Sequence, residues 1–361
     1  MQTTQPLTVD AHGPRRWLIA AAAWLRGERT RETRIFVLAL LLALIVFALL
    51  LLLLGRDPLA TYAAIYAGTL GDSYGLGEIV VKMTPFMLCA LATAIPARAG
   101  LVNVGGEGQI YMGAWAATFV ALNFTFLPGP IFIPLLMVAG CVGGGAWAAL
   151  VGWLRAKFAL NETIASLLLN YVAALIVDYF VHGPWKDRSG MNWPYTAEFV
   201  EGARLMTFGS TRISLGIVFA FVAIGLYAWL MNYTRWGYHL RVVGGNAEAA
   251  RRVGLPIAGY TILAMALGGA MAGLYGMIEV TAIQGRLRGG IASGYGYIGF
   301  LVAWLAGQAP GRIIVMAALL GLLSVGGDVI QIRAGLPSST TNILMALILF
   351  FVLGMRSRAK A

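Results

Sequence analysis

The run Ile35–Leu54 is twenty consecutive Leu, Ile, Val, Ala and Phe residues without one polar side chain. As a helix it spans about 30 Å, the thickness of a bilayer's hydrocarbon core. A helix apolar on every face belongs in lipid or in the centre of a large core. Further apolar runs follow at about 76–97, 109–123, 131–154, 162–181, 213–233, 257–279, 299–306, 313–325 and 343–355. Only 11% of the chain is charged, against about 25% in soluble domains. The 46 glycines fit helices that pack backbone to backbone in a membrane. The expected fold is an all-α polytopic membrane protein with about ten transmembrane helices.

The formal charge of +11 does not point to nucleic acid, because the basic residues fall in short segments between apolar runs. Arg98, Arg155, Lys157, Arg235, Arg241, Arg251, Arg252 and Arg312 share one side with the basic amino-terminal segment and tail. Arg56, Lys186, Arg188, Arg204, Arg286, Arg288 and Arg333 fall on the other. The shorter loops and the first helix set both termini inside. The division is then a cytoplasmic basic amphipathic segment (1–34), a transmembrane domain (35–356) and a cytoplasmic tail (357–361). Trp17–Leu25 fits a short helix lying in the inner interface. The first apolar run is too long for a signal peptide's core and has no cleavage site after it. Cys89 and Cys141 lie inside apolar spans and indicate no disulfide framework. His12, His182 and His239 are scattered, so no metal site is expected.

Ala99–Gly113, AGLVNVGGEGQIYMG, interrupts the apolar pattern with a carboxylate and two amides among glycines. Irregular backbone at membrane depth persists only where protein buries it or where it lines a cavity. Asn103, Gly106, Glu107 and Gln109 are therefore candidate residues of a translocation pathway, with Asn170 deep in a later span. A hydrogen-bond knot locking one span to its neighbours is the competing reading. A second glycine-rich stretch, Gly285–Gly299, falls at the matching place of the second half. Spans two to five and seven to ten thus form two groups of opposite orientation, an inverted repeat of the kind that marks a transport path.

Asn161 fits a helix N-cap with Glu162 in the first turn. Lys82 and Pro85 fall within the second span, while Glu279, Asp328 and Gln331 read as solvated positions near span ends. In the loop 234–256, Asn246 caps a short helix bearing Glu248, Arg251 and Arg252, which stops at Gly254 before Pro256. That helix would form a docking knob; an ordinary basic inner loop is the alternative. Gly294, Gly296 and Gly299 match G-x-G-x-x-G, but no strand–turn–helix surrounds them, so dinucleotide binding is not expected. Gly269 and Gly273 make a GxxxG suited to close helix packing. The chain has no P-loop, which places any ATP hydrolysis on another chain.

AGLVNVGGEGQIYMGA, FALNETIASLLLNY and GYHLRVVGGNAEAARRVGL, in this order and spacing, closely resemble ABC importer permeases of the branched-chain amino acid and simple-sugar group. The nucleoside and simple-sugar permeases that work with lipoprotein-type binding proteins are most similar, and the resemblance runs from about Arg56 onward. HGPWKDRSGMNWP resembles this subgroup's external loop, whereas GFLVAWLAGQAPG departs from the commoner form of its turn. The resemblance implies a multi-pass protein of a bacterial inner membrane. It implies a second related permease, a cytoplasmic ABC ATPase and an extracytoplasmic substrate-binding lipoprotein as partners. ATP and magnesium would sit on the ATPase, with no cofactor on this chain. Gly244, Asn246, Ala249, Ala250 and Gly254 match the family's ATPase-coupling segment, to which Glu248 and Arg251 of the knob belong. The implied function is ATP-driven import of a nucleoside or simple sugar. An ion-coupled secondary transporter using Glu107 is the alternative.

Overall fold

The computed structural model describes residues 28–358 apart from 190–192, 210 and 338. The interfacial helix expected at Trp17–Leu25 and the last residues of the tail, 359–361, lie outside the described residues. The helices are α1 (Glu28–Leu53), α2 (Pro58–Thr69), α3 (Ser73–Ala97), α4 (Gly106–Asn123), α5 (Gly129–Phe158), α6 (Glu162–His182) and α7 (Gly216–Tyr233). They continue as α8 (Arg235–Gly245), α9 (Ala247–Arg252), α10 (Ile257–Ile278), α11 (Tyr295–Leu305), α12 (Pro310–Ala334) and α13 (Ser339–Arg358). No named strand occurs among the described residues. Contacts divide the chain into two units, 1–59 with 342–361 and 60–341.

Among the described residues, seven helices are long and apolar enough to cross a membrane: α1, α3, α5, α6, α7, α10 with its extension, and α12. The apolar α11 and α13 are shorter, and α4 opens on the polar sequence GEGQ. The chain is therefore an all-helical polytopic membrane protein. Two helices were not expected from the sequence: α2, and α8 within the basic loop.

In the first unit, α1 buries a stripe of Ala39, Ala43, Phe47 and Leu51 and exposes Leu38, Leu41, Leu42, Ile45 and Leu49. Exposed leucines all along a helix are tolerable in hydrocarbon and costly in water.

The second unit is built on small residues. Helices α5 and α10 cross through Gly140, Gly144, Gly269 and Gly273, so the expected GxxxG does form a packing seam. A Cβ on Gly273 would overlap the Gly140 carbonyl oxygen, so the two backbones approach as only glycine allows. Helix α3 is the central element, with every residue from Thr84 to Pro96 buried. Helix α10 does not stop at Glu279; it continues as a π-helical turn, Glu279–Gln284. Helix α12 likewise runs past Asp328 and Gln331, beyond the apolar run at 313–325.

Candidate functional site

The chain leaves helical form between Arg98 and Gly105, and the polar groups freed there are taken up by side chains. Asn103 and Gln109 form a reciprocal amide pair: Asn103 Nδ2 donates to Gln109 Oε1 at 3.2 Å and Gln109 Nε2 donates to Asn103 Oδ1 at 3.0 Å. Asn103 also donates to the Ala92 carbonyl at 2.9 Å and accepts the Gly105 N–H at 2.9 Å. Helix α6 supplies the rest of the clamp. Glu162 accepts the Val102 N–H at 3.2 Å and Ser166 accepts the Val104 N–H at 3.2 Å. Asn170 accepts the Gly108 N–H at 2.8 Å and donates to the Val104 carbonyl at 3.0 Å. An unpaired buried amide costs about 1–3 kcal/mol, so this set determines whether the break can exist inside a bundle.

Glu107 reaches the second glycine-rich stretch. Its Oε1 accepts the Gly294 N–H at 2.7 Å and its Oε2 accepts the Gly296 N–H at 2.8 Å. These amides open α11, where a helix presents its unpaired donors and the positive end of its dipole. The backbones touch as well, since a Cβ on Gly296 would overlap the Glu107 nitrogen. The structure thus brings Asn103, Gly106, Glu107, Gln109 and Asn170 into one buried cluster. With both carboxylate oxygens engaged by backbone amides, the geometry gives no support to an ion-coupling site at Glu107.

Ser166, Gly294 and Gly296 are members of this cluster that the sequence reading missed. The spacing of Ser166 and Asn170 one helical turn apart was the available signal for the first. The two glycines stood inside the apparent G-x-G-x-x-G and serve a helix crossing instead of a nucleotide.

At one end of the unit, Asn246 caps α9 as expected, its Oδ1 accepting the Ala249 N–H at 3.0 Å. Glu248 pairs with Arg251 at 3.1 Å and with Arg252 at 3.7 Å, all three being exposed. Ala250 is buried, and Gly254 ends the turn with φ of 79°. Gly244 seats this knob against the end of α3: a Cβ there would overlap the Arg98 carbonyl oxygen. Arg98 in turn donates to the Gln308 carbonyl at 2.9 Å and to the Tyr227 hydroxyl at 3.2 Å. The end of α8, two residues before the cap of the knob, therefore contacts the backbone that leads into the Asn103 break.

Glu279 corrects a sequence expectation. It is buried, not solvated, because the π-helical turn carries the chain past it inside the bundle. The Tyr275 hydroxyl donates to its Oε2 and the Gln284 amide to its Oε1, each at 2.7 Å. Asp328 and Gln331 are exposed, as expected, although both stand on a helix.

Apolar helices long enough to span a membrane, with two glycine-rich breaks joined inside them, are consistent with a polytopic membrane protein of the permease class. Residues 75–353 match the family model described as the branched-chain amino acid transport system permease component, and the chain belongs to that family. It is 36% identical to a glucose ABC transporter permease protein of Haloferax volcanii, over 88% of this chain and 86% of the relative. It is 31% identical to a guanosine ABC transporter permease protein of Bacillus subtilis, over 90% of this chain and 94% of the relative. A nucleoside ABC transporter permease protein of Lactococcus lactis shares 26% identity over 90% and 92% of the two chains. Membership assigns the chain a transport role in a membrane.

Proposed function

We propose that this chain is the permease subunit of an ATP-driven importer that moves a nucleoside or simple sugar into the cytoplasm. The observation that carries the reading is the near full-length similarity to permeases named for glucose, guanosine and nucleosides. The partners are a second related permease, a cytoplasmic ABC ATPase holding ATP and magnesium, and an extracytoplasmic substrate-binding lipoprotein. This chain supplies no nucleotide site of its own.

Ten spans follow if α4, α11 and α13 are added to the seven long helices. Both glycine-rich breaks then open the second span of a four-span group, an arrangement suited to an inverted repeat. In this topology 35–356 is the permease domain, flanked by the cytoplasmic segments 1–34 and 357–361, in the inner membrane of a bacterium.

The coupling segment is Gly244, Asn246, Glu248, Ala249, Ala250, Arg251 and Gly254. Nucleotide-driven closure of the ATPase moves α9, and the contact of Gly244 with Arg98 passes the movement to the break. Asn103, Gly106, Glu107, Gln109 and Asn170 then serve as a polar hinge beside the path, holding irregular backbone in place while the halves rock. Deleting residues 247–254 should abolish both uptake and co-purification of the ATPase while leaving the protein in the membrane. Undiminished ATPase binding by that deletion would reject the coupling assignment.

A further inference from the structure

A second polar cluster borders the Asn103–Glu107 clamp at the start of α11, around a cavity of about 90 Å³. Lys82 of α3, Tyr275 of α10, Glu279 of its π-helical turn, Tyr295 of α11 and Asp328 of α12 line it, together with Glu78 and Arg212. Lys82 Nζ donates to the Tyr295 hydroxyl at 3.0 Å and stands 5.1 Å from that ring's centroid. The Tyr275 and Tyr295 rings meet edge to face with centroids 5.7 Å apart. Lys82 ties α3 to α11 through Tyr295, and it does so at a cavity; intramembrane ionisable groups face cavities and mark solute paths. A π-helical turn, which begins here at Glu279, is likewise concentrated at functional sites.

We propose that this cavity binds the hydroxylated ring common to free sugars and ribosides, an assignment that rests on the functional reading above. Each ring hydroxyl both donates and accepts. Glu279 and Asp328 offer acceptors, Lys82 and the Tyr295 hydroxyl offer donors, and the tyrosine rings offer apolar faces for ring C–H groups. Two cations against three carboxylates leave the lining formally one negative charge, which suits a neutral solute and repels a phosphorylated one. At about 90 Å³ the cavity is smaller than an engineered cavity of about 150 Å³ that admits benzene, so a sugar ring enters only when the lining moves apart. The Glu78–Arg212 pair, 3.1 Å apart, is an ion pair of the lining that such a movement would disturb.

The test uses the full transporter, with its ATPase and binding protein, in proteoliposomes. ATP-dependent uptake of labelled glucose and of labelled uridine is measured alongside maleimide labelling of Ile283→Cys, a lining position whose change leaves every polar group intact. Labelling is referenced to the unsubstituted chain, which carries Cys89 and Cys141. The expected result is uptake of one solute and labelling slowed about threefold by that same solute at twice its dissociation constant, as mass action requires. Glucose alone protecting identifies a sugar site, and uridine alone a riboside site. Uptake with unchanged labelling overturns the cavity assignment and leaves the functional reading standing. Absence of uptake of either solute overturns both. Glucose 6-phosphate should not protect, and protection equal to that by glucose would overturn the charge argument. Lys82→Met and Glu279→Gln should each lower uptake about tenfold, the equivalent of 1.4 kcal/mol, with assembly retained; uptake unchanged in both would also overturn the assignment.

Discussion

The Glu107 carboxylate accepts the Gly296 N–H at 2.8 Å across a crossing where Gly296 lies on the Glu107 backbone. One residue pair therefore joins the two glycine-rich breaks, 189 positions apart in sequence. The junction combines a charge-assisted hydrogen bond with a contact that excludes any side chain. Both components can be removed separately.

Gly296→Ala keeps the carboxylate and removes the space. Its methyl group would overlap the Glu107 nitrogen, and overpacking of this kind costs about 1–3 kcal/mol. A lower melting temperature of the detergent-purified protein is expected, together with reduced uptake. An unchanged melting curve would show that the crossing can relax.

Glu107→Gln keeps the size and removes the charge. A glutamine can accept one of the two glycine N–H groups and must set its own NH₂ against the other, leaving a buried donor unpaired at about 1–3 kcal/mol. Uptake should fall about tenfold while the ATPase still co-purifies. Normal uptake would mean that the break itself, and not the carboxylate, is what transport needs.

Gly244→Val probes the contact between the knob and the break. The added side chain would overlap the Arg98 carbonyl oxygen and lift α8–α9 from its seat. Detergent pull-down of the ATPase should weaken, and ATP hydrolysis should lose its stimulation by loaded binding protein. Full stimulation in this variant would exclude the Gly244 contact as the route of coupling.

Asn246→Ala removes the cap of a six-residue helix. Loss of an N-cap costs about 1 kcal/mol, enough to unravel an isolated turn. Reduced ATPase affinity with unchanged membrane insertion is expected; Asn246→Asp, which still caps, should retain binding.

The caps at Asn161 and Asn246, the Gly254 stop and the Gly269–Gly273 seam were legible because each depends on residues within a few positions of one another. The boundary at Glu279 was misread because a π-helical turn has no distinctive composition, and a carboxylate near the end of an apolar run reads as solvated. The partners of Glu107 were hidden for a different reason. Backbone amides carry no sequence signature, so only the folded chain reveals that Gly294 and Gly296 present theirs to it.

By itself the sequence determined the membrane class, the all-helical character and the placement of two irregular breaks. Apolar run length and glycine clustering act locally and leave lipid-embedded helices as the only way to satisfy the backbone. Tertiary structure alone decided that the two breaks meet, that the Gly244 knob rests on Arg98, and that Lys82 and Glu279 face one cavity. Those outcomes depend on which helices approach backbone to backbone, and that is set by small residues distant in sequence.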